Sequence, residues 1–355
     1  MIEELYKEAL ALLKRLIATP SPSKQEGDAA ELIAGFLESK GFGINRHLNN
    51  LWVVHPDYHS GRFTLLLNSH LDTVEPSQVW TYDPFTPVET DGKLYGLGSN
   101  DAGAPLMALL ATFLYFTHEK KLPFNLIFAA TAEEEISGYN GIEAIVDKLG
   151  TVDLAIIGEP TGMELAIAEK GLMVLDCKTI GRSGHAAREE GENAIYKALA
   201  DIQWFRNFSF DKKSEVMGPV KMSVTQINAG SQHNVVPDTC TFVVDVRTNE
   251  YYSNSEALQI IRRNVNCEVE ARSLRLNSSF IPIAHPLVLV AKAMNIHCYG
   301  SPTTSDQAVI PYTSVKIGPG DSARSHTANE YVEPDELRQG IEVYIEMLER
   351  LGKLL

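Results

Sequence analysis

The chain has 355 residues, with 31 Lys and Arg against 46 Asp and Glu, for a formal net charge of −15. That length asks for two domains, and 44% hydrophobic beside 22% charged residues supports a large core, which excludes a single small module and a disordered or collagen-like chain. The acidic balance, with no Lys/Arg-rich block, excludes a nucleic-acid or anionic-membrane surface, because both kinds of binding draw affinity from clustered cations.

Residues 1–18, MIEELYKEALALLKRLIA, set Glu3, Glu4, Lys7, Glu8, Lys14 and Arg15 among apolar residues, the pattern of an amphipathic helix rather than a secretory signal. No run approaches the ~18 apolar residues of a membrane span. A cytoplasmic protein is expected. Ser21-Pro22-Ser23-Lys24 breaks the pattern, 25–40 resumes a helical period, and Gly41 and Gly43 end it. Strands are expected at 50–54, 63–68, 125–131 and 154–157, with helices at 104–116 and 142–149 between them. Strands alternating with helices imply a mostly parallel sheet sandwiched by helices.

From about residue 172 the order becomes strand 172–180, helix 192–205, strands 221–227 and 241–248, helix 255–265 and strand 268–273. That β-α-β-β-α-β order is the ferredoxin-like unit. The α/β style returns near residue 283 with a helix at 286–294, a strand at 314–317 and a terminal helix at 334–351. The expectation is a catalytic domain of 1–171 and 283–355 into which a lid domain, 172–282, is inserted. Cys177, Cys240, Cys267 and Cys298 are scattered with no C-x-x-C pair, which suits buried thiols better than a zinc ribbon or a disulfide framework.

In an open parallel sheet, ligands bind outside the carboxyl ends of the strands. His70 and Asp72 follow the strand 63–68, Asp101 ends the Gly-rich turn 96–100, Glu133-Glu134-Glu135 follow 125–131, Glu159 follows 154–157, and His326 follows 314–317 and its Gly318-Pro319-Gly320 turn. Two histidines and several carboxylates without a thiolate suit Zn²⁺, Co²⁺ or Mn²⁺ at sites that keep a position open for water. Each residue alone also has a plain reading: a His-x-Asp surface pair, a solvated helix start at the three glutamates, a turn at Glu159-Pro160. Their shared place at successive strand ends favours the metal site. Adjacent side chains at a strand end diverge, so Glu134 and Glu135 can divide the work, one binding metal and the other acting as general base. Asp72 is placed to hold the His70 imidazole. There is no H-E-x-x-H, no G-x-S-x-G and no phosphate-binding G-x-x-x-x-G-K-[ST], and Asp101 stands where a dinucleotide fingerprint opened by Gly96-Leu97-Gly98 needs its third glycine.

At these residues the sequence resembles the acetylornithine deacetylase / succinyl-diaminopimelate desuccinylase family, relatives of glutamate carboxypeptidase and aminoacylase that use two metal ions. The resemblance rests on S-H-L-D-T-V at 69–74, G-S-N-D-A-G at 98–103, T-A-E-E-E at 131–135, G-E-P-T at 158–161 and S-H-T-A-N-E at 325–330, which span most of the chain. It implies that Asp101 bridges two divalent metal ions, Zn²⁺ or Co²⁺, with His70 and Glu159 completing one site and Glu135 and His326 the other. It further implies that Asp72 orients His70, that Glu134 is the general base, and that the Asp101–Ala102 peptide is cis. Glu133 stands where family members often have Asp, and the basic residue common near 99–100 is missing.

G-R-S-G-H-A-A at 181–187, N-V-V-P-D at 234–238 and D-V-R at 245–247 extend the resemblance into the lid. They imply a homodimer formed through the lid, in which His185 and Asn234 reach the partner's active site, His185 donating to the oxyanion, while Arg247 anchors the substrate's α-carboxylate as guanidinium forks do. A loop histidine and a structural salt bridge are the other readings of His185 and Arg247. The expected activity is hydrolysis of the amide of a small-molecule N-acyl-L-amino acid, N-acetyl-L-ornithine first because of residues 317–332, with N-acetyl- or N-succinyl-citrulline next, as in arginine biosynthesis. A di- or tripeptidase, a carrier-protein carboxypeptidase and a non-catalytic metal-binding relative are the alternatives.

Overall fold

Thr64–His70 and Asn125–Thr131 are buried at every position, as strands covered on both faces must be. They lie side by side and parallel, and Thr64–His70 has Leu154–Gly158 as its parallel neighbour on the other side, followed by Ser314–Ile317, parallel again. Asn50–Val54 and then Asn45–His47 extend the sheet antiparallel beyond Asn125–Thr131. In this computed structural model, which describes residues 1–118, 122–188 and 190–355, the chain divides into two units. One comprises Met1–Ile167, Phe280–Tyr299 and Ser305–Leu355, the other Ala168–Ser279 and Gly300–Thr304.

In the first unit the helices Ile2–Ile17, Ala104–Thr117 and Pro334–Gly352 pack against one another. Ala104–Thr117 buries twelve of its fourteen residues because it meets the sheet on one side and the two other helices on the other, which is why its sequence is apolar all round. On the opposite sheet face Trp52, Leu66, Ile127, Ala129 and Ile157 pack with Ile142, Ile145 and Leu149. The last three lie where a helix at 142–149 was expected. Instead there are two single tight turns, Ile142–Ala144 and Val146–Lys148, separated by Ile145 at φ −114°. The apolar spacing is that of a packed connection, and β-branched Ile142, Ile145 and Val146 do not favour a regular helix.

A second departure is the small sheet of Val88–Thr90, Lys93–Tyr95 and Tyr331–Val332. Its hairpin turns on Asp91-Gly92, both at positive φ, the two-residue turn that an Asp-Gly pair signals in sequence.

The second unit is a four-stranded antiparallel sheet in the order Lys221–Ala229, Thr239–Arg247, Met173–Ile180, Glu268–Ala271. Helices Ala194–Asn207 and Asn254–Asn264 complete the β-α-β-β-α-β sequence. Along Met173–Ile180, Met173, Leu175, Cys177 and Thr179 are buried while Asp176, Lys178 and Ile180 are exposed, so one face packs on Phe205, Phe242, Val244, Ala257 and Ile261 and the other meets water. Cys177, Cys240 and Cys267 are buried and Cys298 half-buried, all as free thiols. Among the described residues no helix is long and apolar enough to cross a membrane.

Candidate metal centre

The parallel strands of the first unit end level with one another. His70 is opposite Thr131, Asn68 opposite Ile157, and Ile317 opposite Gly158. The residues just past these ends, Asp72, Glu134, Glu135 and Glu159, therefore emerge together, at the central strand from which the chain order runs outward both ways, the switch point where open sheets bind ligands.

Two groups of side chains share one carboxylate there. His70, Asp101 and Glu159 offer ligand atoms within 4.8 Å of one another, and so do Asp101, Glu135 and His326. Asp101 Oδ1 lies 3.2 Å from His70 Nε2, while Asp101 Oδ2 lies 3.7 Å from His326 Nε2. Glu159 Oε1 is 3.9 Å from His70 Nε2, and Glu135 Oε2 is 2.8 Å from His326 Nε2. Donor atoms roughly 2 Å from a shared ion stand roughly 3–4 Å apart, so these spacings suit a cation in each group. Glu159 Oε1 is buried with no hydrogen-bond partner, and a buried carboxylate oxygen is costly to leave unpaired. The all-oxygen-and-imidazole donor set fits a divalent ion such as Zn²⁺ in both positions.

The supporting contacts are specific. His70 donates from Nδ1 to the Asp72 carbonyl at 2.9 Å, with the Asp72 carboxylate at 3.5 Å, which leaves Nε2 facing Asp101 and Glu159 as the nitrogen that would bind a metal in place of its proton. The Asp72 carboxylate instead accepts the backbone N–H groups of Glu134 and Glu135 at 3.0 and 3.1 Å and the Ser23 hydroxyl at 2.7 Å. It thus fixes the turn that carries both glutamates. Glu133 is not at a solvated helix start: it is buried at φ 55°, and its carboxylate accepts from the Asn140 side chain. The peptide between Asp101 and Ala102 is cis. Gly320, at φ 91°, lies so close to Asn100 Oδ1 that a Cβ would collide with it. That approach lets Asn100 Oδ1 accept the Asp321 N–H at 2.9 Å and ties the Asp101 turn to the loop leading to His326.

Crowded acids hold protons here. Burial pushes Glu159 up to about 8 despite nearby His70, and burial together with the Glu159 charge raises Glu134 well above the carboxylate range. Burial opposes charge on His70, yet its hydrogen bonds to Asp101 and Asp72 outweigh this and raise it well above the usual imidazole value. The hydrogen bond to Glu135 lifts His326 to about 9. Divalent cations compete with these protons for the same positions, so metal binding should release them.

Sequence reasoning assigned no role to Glu330 or Asp306. Glu330 accepts from the backbone of Asn100 and Asp101, and Asp306 accepts from Asn68 at 2.9 Å and Thr131 at 3.1 Å, joining two strand ends. S-H-T-A-N-E contained the first; nothing in the sequence marks the second.

The remaining candidates are in the second unit. Gly184–His185 pairs with Val235–Val236, and the Asn234 carbonyl accepts the Ala186 N–H at 2.9 Å, so His185 and Asn234 share one exposed two-stranded ladder. Arg247 ends the nine-residue strand Thr239–Arg247 and forks onto Asp245 at 2.9 and 3.1 Å. Thr239, at the other end of that strand, is opposite Ile180, and each lies a few residues from that ladder. Thr239 and Arg247, the two ends of that strand, stand about 27 Å apart, and the segment that carries His185 joins at the Thr239 end.

The peptidase family M20/M25/M40 profile matches residues 66–350. Among curated proteins the chain is 29% identical to succinyl-diaminopimelate desuccinylase 2 of Ruegeria sp. over 72% of this chain and 69% of that one. It is 28% identical to acetylornithine deacetylase of Proteus mirabilis over 91% and 92%. Among solved structures, aminopeptidase PepT from Bacillus cereus superposes with a TM-score of 0.80 at 19% identity over 98% of both chains. A dinuclear metal-binding peptidase of the M20 family from Bacillus subtilis gives 0.74 at 15% identity over 99% of this chain and all of the other. These two share the fold of this chain. The chain belongs to peptidase family M20/M25/M40 and is a metal-dependent amide hydrolase.

Proposed function

We propose that this chain hydrolyses the amide of an N-acyl-L-amino acid, N-acetyl-L-ornithine first and N-acetyl- or N-succinyl-citrulline next. The observation that carries the reading is Asp101 shared between two metal-ligating groups while Glu134, beside Glu135 in sequence, belongs to neither. The deacetylase relative, matched along nearly its whole length, and the motif of residues 317–332 support the acetylornithine choice.

Zn²⁺ or Co²⁺ ions held by His70, Asp101 and Glu159 and by Asp101, Glu135 and His326 would polarise the amide carbonyl and ease deprotonation of water. Glu134 takes a proton from the attacking water and passes it to the leaving amine nitrogen, so the C–N bond breaks to give a carboxylate and a free amino acid. Burial raises the proton affinity of its carboxylate above that of an ordinary glutamate, which favours its taking that proton. Asp72 keeps Glu134 aimed through its backbone N–H.

His185 donates to the developing oxyanion, Asn234 contacts substrate beside it, and Arg247 binds the α-carboxylate. The segment carrying His185 joins the sheet at the Thr239 end of a strand about 27 Å long and Arg247 is at the other end, an arrangement that favours their reaching one small substrate from different chains. This supports a homodimer formed through the second unit, in which His185 comes from the partner copy. Mixing inactive His185→Ala with inactive Glu134→Gln should restore about half the wild-type activity in mixed dimers; no recovery after demonstrated subunit exchange would place His185 in its own chain's site.

The substrate assignment is tested by a panel crossing acetyl, succinyl and formyl groups with ornithine, citrulline, lysine and diaminopimelate, with di- and tripeptides alongside, all with added Zn²⁺ or Co²⁺. The highest kcat/KM should fall on an N-acylated ornithine or citrulline. Preference for dipeptides or tripeptides would make the chain a peptidase with the same centre.

A further inference from the structure

Glu330 is 2% exposed and takes no part in the two ligand groups. One of its oxygens, Oε1, accepts two consecutive backbone N–H groups, those of Asn100 and Asp101, each at 2.9 Å. Its own carbonyl accepts the Gly96 N–H at 3.0 Å. The residue before it is also pinned: Asn329 Oδ1 accepts the N–H groups of Thr81 and Tyr82 at 2.9 and 3.3 Å. Tyr331–Val332 then pairs with Tyr95 and Leu94. The segment after His326 is thereby fastened at three successive points to residues 81–101, and the strongest fastening falls on the backbone of Asp101 itself.

On its other side His326 is held by the Asn100 bonds to Asp321 and Ser325 and by its own contact with Glu135, not by a strand. Its side chain is 55% exposed, its backbone sits at φ 59°, and it is four residues from Glu330 on a loop. His70, by contrast, is on a strand whose ladder fixes it, with a side chain 1% exposed.

We propose that Glu330 is a positioning residue that sets the separation of Asp101 and His326 and thereby the affinity of the Asp101–Glu135–His326 site, leaving the His70–Asp101–Glu159 site largely intact. Glu330 works as an acceptor for two amides, so an uncharged side chain of the same length can replace it. The inference rests on the two-cation reading of the centre.

Metal-free wild type, Glu330→Gln, Glu330→Asp and Glu330→Ala are dialysed against graded Zn²⁺ and the bound metal is counted, with circular dichroism to follow the fold. Wild type and Glu330→Gln should bind two ions with affinities within about threefold of each other, site for site. Glu330→Ala should keep the tighter ion and bind the weaker one about 10–100-fold less well, the usual cost of losing a group that supports ligands from behind. Glu330→Asp, one methylene too short to reach both amides, should do the same and serves if the alanine variant does not fold. Unchanged binding of both ions by Glu330→Asp and Glu330→Ala would overturn the proposal. So would equal loss at both sites, or a glutamine variant as impaired as alanine. If wild type itself bound fewer than two ions, the two-cation reading would fall and this inference with it.

Discussion

The two ligand groups that share Asp101 are built by different means. The inner group hangs on the sheet: His70 ends a fully buried strand and Glu159 follows another, in register with it. The outer group hangs on loops: Glu135 sits in a turn fixed by Asp72, and His326 lies at positive φ on an exposed connection. A ladder of backbone hydrogen bonds holds a ligand without help from side chains, whereas a loop needs each fastening supplied separately. The inner site should therefore be the tighter and less tolerant of the two, and the outer one the more easily tuned.

The largest effect should come from the residue common to both. Asp101→Ala removes a donor from each group, so metal analysis should find well under two ions per chain and activity should fall by about 10³-fold or more, the loss of several kcal/mol of charge stabilisation. Full occupancy of either group in that variant would break the sharing. Next, Glu134→Gln should retain both ions while kcat falls about 10²–10⁴-fold. Metal lost with turnover retained in the loaded fraction would move Glu134 among the ligands.

A third comparison sets the two histidines against each other in metal-free protein. Truncating buried His70 leaves the Asp72 carbonyl and the Asp101 carboxylate without their partner and should destabilise by about 1–3 kcal/mol in urea unfolding. His326→Ala, at a side chain 55% exposed, should cost less, about 1 kcal/mol for the lost bond to Glu135. Equal losses would erase the distinction between a sheet-held and a loop-held ligand.

The smallest effect is a pH dependence. Without metal, Glu159 and Glu330 titrate at about 8 and His326 at about 9, all above the values of the same groups in an unfolded chain. Folded protein then holds more protons than unfolded between about pH 5 and 8, so the stability of these groups, complete below their unfolded values, is lost as pH rises through the folded ones. Added Zn²⁺ displaces the protons of the ligands Glu159 and His326, and the gap in Tm between metal-loaded and metal-free protein should widen by about 5 °C or more between pH 5.5 and pH 8. A gap that narrowed would mean the cluster is not where metal binds.

The inner group and the turn glutamates were legible in sequence because strand ends are: an apolar run stops, and the next polar residues are the ligands. The second unit was legible for a similar reason, since buried and exposed residues alternate along Met173–Ile180. The supports were not. Asp306 opens a single 3-10 turn and Glu330 lies in a loop, and the partners of these buried carboxylates lie 238 and 230 residues away, so no local pattern announces them. The helix expected at 142–149 failed because apolar spacing records burial and not backbone geometry, while the Asp91-Gly92 hairpin carried a turn signal that its three-residue strands were too short to reinforce.

Calorimetric titration of Zn²⁺ into the metal-free chain, repeated in two buffers of different ionisation enthalpy, puts the shared-carboxylate centre most directly at risk. The titration should show two ions per chain, a tighter and a weaker one, each step releasing protons, with the weaker step alone lost in His326→Ala. A single binding step of one ion per chain, or two steps that both survive intact in His326→Ala, would contradict that centre.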